Sequence, residues 1–364
     1  GKRFGRSLDP DTNGYTSESF EEGTVGLDMT LSLFEGFSRI NQVRFRKMNK
    51  ERSEWELKEK QNELAYQVTD AYYKLILERK LLDLALEQSR LSERYLKQTE
   101  VFVELGLKSA SDLQEVKARR EGDIYRYQSR ENSSRIALLH LKQLMNIQPG
   151  DTLAILDTIT ASQLPPYSVS TVETLYAQSI EILPSIRMID LKQKAAHKEY
   201  AIAGGAFSPS VFARFTVGSN YYNTAFSARQ LRDNIGKYVG VGISFPLLSG
   251  LQRLTNQRKL KLNMYRLKNE EELEKQQLYT DIEQTLLSLH TGYSEHQQAL
   301  SQLDAETLVL KESERKWEEG LISVFQLMEA RNRFIAAKAE LVRVRLQIEM
   351  MMKLEKYYRQ GTFL

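Results

Sequence analysis

Apolar side chains recur at intervals of three and four residues over two unusually long stretches of this sequence. In the later stretch they form one continuous series, Ile282, Leu286, Leu289, Tyr293, His296, Leu300 and Leu303. The positions 214 residues earlier are Val68, Tyr72, Leu75, Arg79, Leu82, Leu86 and Ser89, which keep most of the same series. This spacing is typical of the seam between coiled helices. Each stretch therefore predicts a helix of roughly 65 residues, on the order of 100 Å long.

Two glycine motifs flank these stretches, and each motif occurs twice at the same spacing. Leu33-Phe34-Glu35-Gly36 is echoed by Leu247-Leu248-Ser249-Gly250, and Gly106-Leu107-Lys108-Ser109 by Gly320-Leu321-Ile322-Ser323. Both pairs are 214 residues apart, so the segment between the motifs has one fixed length, as a continuous helix requires. Glycine ends a helix and serine can cap the next one. The sequence therefore predicts long antiparallel helical hairpins over about 38–146 and 251–358.

A two-residue alternation precedes each long helix. Apolar side chains alternate there with glycine and mostly small polar residues, giving Val25, Leu27, Met29 and Leu31 in one segment and Val239, Val241, Ile243 and Phe245 in the other. Period-two alternation predicts strands with one apolar face, and we expect these eight side chains to face lipid. The predicted strands cover about 1–8, 23–34, 209–222 and 236–247.

The duplication divides the chain into two predicted repeats. The first covers residues 1–160, with its linker continuing to 166. The second covers 167–364 and includes a helix at about 169–204 that is interrupted near Pro184. The same offset places the counterpart of that helix upstream of Gly1. We therefore expect the natural protein to continue for roughly forty residues before Gly1, preceded by a targeting signal.

Composition narrows the class of protein. Hydrophobic residues make up 41% and charged residues 27%, which suits long solvated helices better than a thick globule. The absence of cysteine excludes disulfides and cysteine nucleophiles. The 51 basic and 48 acidic residues are interleaved along the chain rather than gathered on a basic face, which argues against nucleic acid as a partner. No metal-site spacing or catalytic motif occurs, so we predict neither a cofactor nor enzymatic activity.

No apolar run is long enough for a membrane-spanning helix, but short alternating strands can also cross a bilayer. Four strands are too few to close a barrel, and lipid does not tolerate an open strand edge. Three copies would supply 12 strands. The predicted fold is therefore mainly α with β, in which duplicated long antiparallel hairpins form an α-barrel and four strands per subunit contribute to a trimeric 12-stranded outer-membrane β-barrel.

These features resemble the TolC-like outer-membrane efflux protein family across essentially the whole chain. The resemblance lies in the strand that leads through Leu33-Phe34-Glu35-Gly36 into a long helix, in its weaker second copy, and in the two hairpin tips. Each motif is short, but their duplicated order and spacing are specific. The segments Phe4 to Pro10 and Thr12-Asn13 are similar to the form found in Bacteroidota members.

The resemblance implies a homotrimeric channel embedded in outer-membrane lipid, with a helical barrel in the periplasm of a Gram-negative bacterium. It also implies that the tips dock a periplasmic adaptor protein that bridges to an inner-membrane transporter, through Gly106, Leu107, Ser109, Gly320, Leu321 and Ser323. In such channels acidic residues near the second tip ring the closed entrance. Glu329 matches one such position, and Asp112 and Glu115 are acidic at the first tip. Gln326 stands where a further family acid is expected.

Two alternatives remain open from the sequence. Glu329 and Asp112 could form carboxylate rings at a constriction, or they could be ordinary solvated charges on helices. Long helices alone would also suit a soluble coiled-coil or spectrin-like scaffold, although such a protein has no need of the alternating strands. Of the two functions we favour the channel, a passive exit duct of an efflux pump or a type I secretion system.

Overall fold

The computed structural model describes residues 1–8, 13–17, 20–148, 150–156, 164, 170–223, 228–247 and 251–363. The chain forms two compact units, one of Gly1–Arg52 with Ile189–Glu270 and the other of Ser53–Met188 with Glu271–Leu364. The first unit holds the described strands, and the second holds the greater part of the long helices.

The four longest helices form the two predicted hairpins. Helix α1 (Ser38–Glu104) is followed by α2 (Ala110–Leu144), and α6 (Gln252–Glu318) is followed by α7 (Val324–Gln360). Helices α1 and α6 each contain 67 residues, and their first and last residues lie 214 positions apart. The duplicated long hairpins are therefore confirmed. In the described part of the chain, none of the helices combines the length and apolar character needed to cross a membrane.

Two shorter helices stand between the hairpins in the sequence. The helix predicted over 169–204 is divided into α3 (Val172–Ile182) and α4 (Pro184–Gly205). Leu183 between them has an extended backbone, and Pro184 starts α4, where its missing N–H needs no partner. Residue 169 and part of the predicted linker, at 149, 157–163 and 165–166, lie outside the described residues.

Buried side chains from several helices pack together inside the second unit. Leu175 of α3 packs with Ile282 and Leu289 of α6 and Ile348 of α7 in one apolar cluster. Another cluster joins α1 and α2 through Ala71, Leu75 and Leu141. Of the predicted seam on α6, the residues Ile282, Leu286, Leu289 and His296 are buried.

The main sheet has four antiparallel strands in the order β1 (Lys2–Arg3), β4 (Phe20–Glu35), β5 (Ser210–Asn223) and β6 (Gly236–Ser244). The strand expected over residues 1–8 is not continuous. Only Lys2–Arg3 pairs with β4, whereas β2 (Ser7–Leu8) pairs with β3 (Tyr15–Thr16) in a separate two-stranded sheet. Gly5, between β1 and β2, has φ +112°, a conformation that interrupts an extended strand. A short helix, α5 (Ala228–Asp233), lies between β5 and β6.

The turn from β4 into α1 depends on a close backbone approach. Gly36 has φ +58°, and a Cβ at this position would lie 2.5 Å from the carbonyl oxygen of Gly205. The hydroxyl of Ser38 donates a hydrogen bond to the carbonyl oxygen of Ile202 at 3.0 Å. These contacts explain why the motif that precedes α1 contains glycine. Its second copy falls largely on residues 248–250, which lie outside the described residues.

Candidate functional site

The two hairpin tips have the same backbone structure. Gly106 and Gly320 adopt φ +72° and +74°. After the first helix, the N–H of Leu107 donates to the carbonyl of Phe102 at 2.8 Å and the N–H of Gly106 donates to that of Val103 at 3.0 Å. Leu321 and Gly320 make the corresponding bonds at the second tip, at 2.8 and 3.0 Å. Each long helix thus ends in a left-handed glycine turn that satisfies its last carbonyl groups.

A serine opens the returning helix at each tip. The hydroxyl of Ser109 accepts a hydrogen bond from the N–H of Asp112, and the Asp112 carboxylate accepts from the N–H of Ser109 at 2.9 Å. Ser323 and Gln326 form the same reciprocal pair at the second tip, with 3.0 Å between the Ser323 nitrogen and the Gln326 side-chain oxygen. Both pairs are capping boxes, and they begin α2 and α7.

Asp112 and Gln326 have the same structural role, because each side chain accepts a hydrogen bond from the backbone N–H of the serine that caps its helix. The pKa of Asp112 is lowered, chiefly by the hydrogen bond from the backbone N–H of Ser109 and then by the bond from the Ser109 hydroxyl. Glutamine can make the same bonds without a charge, so the missing acid at position 326 leaves the cap intact. The two residues expected near a constriction therefore also hold the first turn of a helix.

Glu115 and Glu329 occupy equivalent positions, one turn further into α2 and α7. Glu329 is exposed, and its carboxylate lies 3.5 Å from the guanidinium of Arg333. Arg333 also lies 3.4 Å from the carboxylate of Glu306 on α6. Glu115 is half-buried and makes no ion pair within the described chain. An exposed pair of this length contributes little to stability, so the Glu329 carboxylate remains available to solvent and ions.

Exposed apolar side chains surround the tip turns. Leu107 and Leu321, the residues after the two glycines, are exposed to 66% and 68%. Phe325 in the first turn of α7 is also exposed, and the guanidinium of Arg119 on α2 lies 5.4 Å from the centre of its ring. Apolar groups held out on rigid turns suit contact with another protein.

A buried cluster behind the tips was not anticipated from the sequence. Arg331 of α7 is only 5% exposed, and its guanidinium lies 5.3 Å from the ring centre of Tyr95 on α1. The Tyr95 hydroxyl donates to the carboxylate of Glu314 at 3.3 Å, and its ring meets that of Trp317 edge to face. In the described chain, Nε and Nη1 of Arg331 have no hydrogen-bond partner. The available signal was the position of Arg331, four residues after the buried Leu327.

A half-buried acidic residue, Glu59, lies on α1, far from the tips in sequence. Burial raises the pKa of Glu59, and the neighbouring carboxylates of Glu274 and Glu63 raise it further, while Lys60 lowers it. The buried Oε2 atom of Glu59 has no hydrogen-bond partner among the described residues. Protonation of Glu59 therefore removes a charge that its surroundings do not favour.

The main sheet presents its apolar side chains to the exterior of the single chain. The eight residues expected to face lipid, Val25, Leu27, Met29, Leu31, Val239, Val241, Ile243 and Phe245, are between 58% and 75% exposed. Across the strands, Met29 is opposite Phe215, which is opposite Val239. The other face is polar, since Asp28 lies 3.4 Å from Arg214 and accepts a hydrogen bond from Thr216 at 2.7 Å. The sheet therefore separates an apolar surface from a polar one.

Within the described residues, no group of three or more histidine, aspartate or glutamate side chains could hold a metal ion. The candidate functional features of the described residues are therefore the two tips, an acidic residue behind each tip, and the sheet with its exposed apolar face.

The sequence profile described as "Outer membrane efflux protein" matches residues 3–146 and 175–350. A comparison with curated protein sequences found no match. Among solved structures, the chain is similar to the Campylobacter jejuni CmeC outer membrane channel, with a TM-score of 0.82, 14% identity, and coverage of 99% of this chain and 76% of that one.

Two further solved structures share the fold. For the outer membrane protein VceC of Vibrio cholerae the TM-score is 0.80 at 15% identity, with 100% and 86% of the two chains covered. For the open state of the Neisseria gonorrhoeae MtrE outer membrane channel it is 0.75 at 17% identity, with 100% and 80% covered.

Proposed function

The chain belongs to the outer membrane efflux protein family, and from that membership we propose that it is the outer-membrane exit duct of a tripartite export assembly. In this proposal three copies form the duct, a periplasmic adaptor docks on the hairpin tips, and an inner-membrane transporter supplies the energy. The protein itself conducts drugs or other exported substrates passively and catalyses no reaction. A type I secretion system would use the same kind of duct.

The observation that carries this proposal is the sheet with its exposed apolar face and unfinished edges. The outer edge of β4 pairs with β1 only at Phe20 and Glu21, and β6 pairs only with β5 among the described strands. In lipid these free N–H and C=O groups would cost several kcal/mol each unless they were paired. Strands of neighbouring copies meet this requirement, and three copies with four strands each give a closed 12-stranded barrel.

The tips are the proposed entrance. We assign adaptor docking to Gly106, Leu107, Ser109, Gly320, Leu321 and Ser323, because the two tips share one backbone structure and present exposed leucines. Two equivalent tips per copy would offer six similar docking positions around a trimer. Opening would require the hairpins to move apart, as a switch from one packed arrangement of the helices to another.

We assign the constriction to Glu329, with Glu115, Asp112 and Gln326 nearby. A ring of three Glu329 carboxylates would attract cations and repel anions. Arg333, 3.5 Å away, partly compensates each carboxylate. The ring is therefore expected to be weaker than one of unpaired acids, and removal of Arg333 should strengthen it.

Single-channel conductance in planar bilayers tests this proposal. The full-length protein extracted from outer membranes is compared with Glu329→Gln, with Arg333→Gln, and with Glu318→Gln as a matched control. Glu318 is an exposed carboxylate near the same tip that has no ion pair within the described chain. We expect discrete cation-selective channels, a loss of selectivity in Glu329→Gln, a gain in Arg333→Gln, and no change in the control.

The outcomes separate the parts of the proposal. If Glu329→Gln does not change the channels, the proposal of a duct stands, but Glu329 does not form the constriction. A protein that fractionates as a soluble monomer would refute the duct and favour the helical scaffold instead. If trimers conduct only after an adaptor is added, the resting tips are sealed, which agrees with the proposed opening.

A further inference from the structure

The first fifteen or so residues of both long helices are strongly basic. Positions 38–52 of α1 contain one acidic residue, Glu51, and six basic ones, Arg39, Arg44, Arg46, Lys47, Lys50 and Arg52. Positions 252–268 of α6 contain no acidic residue and six basic ones, Arg253, Arg258, Lys259, Lys261, Arg266 and Lys268. We name these two segments the basic collar. Both lie in the compact unit that contains the sheet.

The remainder of each helix has the opposite charge. Residues 53–104 carry 11 acidic and 8 basic side chains, and residues 269–318 carry 12 acidic and 4 basic ones. Basic residues are therefore concentrated at the start of each of these two helices, although acidic and basic residues are interleaved over the chain as a whole. Four pairs of collar residues are related by the repeat offset of 214, namely Arg39 with Arg253, Arg44 with Arg258, Lys47 with Lys261 and Arg52 with Arg266.

Helix energetics alone oppose this arrangement. The N-terminal end of a helix carries a partial positive charge, so basic residues in the first turns are unfavourable and acidic ones are favourable. Neither α1 nor α6 has an acidic residue in its first turn. Repulsion among the basic side chains of each segment adds to this cost. An external anionic partner would offset both effects.

The chain itself supplies few such partners. Arg39 pairs with Glu35 at 3.2 Å and Arg266 with Glu270 at 3.4 Å. Nine collar side chains make no ion pair in the described part of the chain, namely Arg44, Arg46, Lys47, Arg52, Arg253, Arg258, Lys259, Lys261 and Lys268. Most of them are exposed. The collar is thus an exposed positive surface whose charge is largely uncompensated.

The collar is continuous in sequence and structure with the sheet that the proposed function places in the membrane. Helix α1 begins three residues after β4 ends at Glu35, and fifteen helical residues span only about 20 Å. Exposed apolar side chains are interspersed with the charges, as in Phe37, Ile40 and Val43. Long basic side chains beside apolar ones suit the boundary between lipid tails and head groups.

We propose that the basic collar binds the anionic phospholipid head groups of the membrane leaflet in which the near end of the sheet is embedded. This inference rests on the proposed function, because it requires the sheet to lie in the outer membrane. The ligand class is an acidic phospholipid, with phosphatidylglycerol as the probe. Binding would fix the depth of the sheet in the bilayer and neutralise the repulsion at the start of both helices.

Lipid selectivity measured on the full-length protein in neutral detergent tests the collar. Apparent dissociation constants are compared for fluorescent phosphatidylglycerol and phosphatidylcholine with identical acyl chains. The test variant replaces Arg44, Lys47, Arg258 and Lys261 by glutamine. The control replaces Arg90, Arg94, Lys117 and Lys311 by glutamine, since these exposed residues also lack an ion pair in the described chain and the charge change is the same.

We expect the wild type to prefer phosphatidylglycerol by about tenfold or more, because each basic residue near an anionic surface contributes to binding. The preference should vanish in the test variant, persist in the control, and disappear for the wild type in about 0.5 M salt, where screening is nearly complete. Should the quadruple variant fail to assemble, the double variant Arg44→Gln with Arg258→Gln should show a partial loss.

Equal affinity of the wild type for the two lipids would overturn the inference, as would an equal loss in the control. A test variant that retains its lipid preference but becomes more cation-selective would place these side chains in the conduit instead. Conductance of the same samples separates the two proposals. Lipid preference in a sample that fractionates as a soluble monomer, or that does not conduct even after an adaptor is added, would refute the duct alone. Channels without lipid preference would refute the collar alone.

Discussion

Replacement of Gly36 by alanine probes the turn that connects the sheet to the first long helix. The substitution adds one methyl group at a residue with φ +58°. Its Cβ would lie 2.5 Å from the carbonyl oxygen of Gly205 and 2.7 Å from Cβ of Ser208. A carbonyl oxygen belongs to the backbone, so it cannot rotate away as a flexible side chain could.

Two effects contribute to the expected loss of stability. Alanine in the left-handed region costs roughly 1–2 kcal/mol. Relief of the overlap requires a backbone shift, which typically costs about 1–3 kcal/mol more. Together they predict a local destabilisation of roughly 2–5 kcal/mol, and the Ser38 hydrogen bond to Ile202 would weaken as the turn moves.

Gly106→Ala is the matched control. Gly106 has φ +72°, and a Cβ there meets no atom of the described chain within 4 Å. Only the backbone term, roughly 1–2 kcal/mol, should apply to this variant. Native-state hydrogen exchange measures both effects locally, at the N–H of Asn41, which bonds to Phe37 at 3.1 Å, and at the N–H of Leu107 in the tip.

We expect Gly36→Ala to accelerate exchange at Asn41 by more than Gly106→Ala accelerates exchange at Leu107, with a difference of about fivefold for 1 kcal/mol and about 150-fold for 3 kcal/mol. Equal changes in the two variants would refute the argument. They would mean that the turn can move aside without cost, and that glycine occurs at position 36 only for its backbone freedom.

Three further changes test charged groups. Because the folded pKa of Asp112 is lowered, its cap should stabilise the first tip above about pH 4, the usual aspartate pKa, and weaken as pH falls further. Hydrogen exchange measured at both tips should show this loss of protection at the first tip and not at the second, where Gln326 has no charge to titrate. Because the folded pKa of Glu59 is raised, its contribution is lost as pH rises, so Glu59→Gln should raise the melting temperature at pH 7 and have little effect near pH 4. Because Arg331 is buried with two unpartnered nitrogens, Arg331→Met should leave the melting temperature unchanged or raise it, whereas Arg331→Glu should lower it by placing a carboxylate near Tyr95.

Each of these predictions has a contrary result. Parallel acid weakening of both tips would show that Asp112 is not the titrating group at the first one. A melting temperature of Glu59→Gln that changes equally at pH 4 and pH 7 would exclude a protonation effect. Destabilisation by Arg331→Met as large as that by Arg331→Glu would show that buried water or another copy satisfies the guanidinium.

The helical hairpins and their duplication could be predicted from the order of residues alone. These predictions rest on local signals, namely the seam with steps of three and four residues, the glycine turns and the serine caps. Each signal reflects hydrogen bonds and contacts between residues that are close together in the sequence. This is why the predicted helices and tips at Gly106 and Gly320 agree with the structure. The strands β4 and β6 could also be predicted from their alternating apolar residues, because successive side chains of a strand point to opposite faces of the sheet.

The contacts between these elements became visible only in the folded chain. The strand expected over residues 1–8 divides between two sheets, because pairing depends on distant residues as well as on alternation. The sequence predicts a surface charge at Arg331, but the structure buries its side chain with the guanidinium over the ring of Tyr95 on α1. Gln326 lacks the charge of Asp112 yet fills the same cap, because the geometry of a helix start requires an acceptor and not a charge. Such roles depend on neighbours far apart in the chain, which a local pattern does not contain.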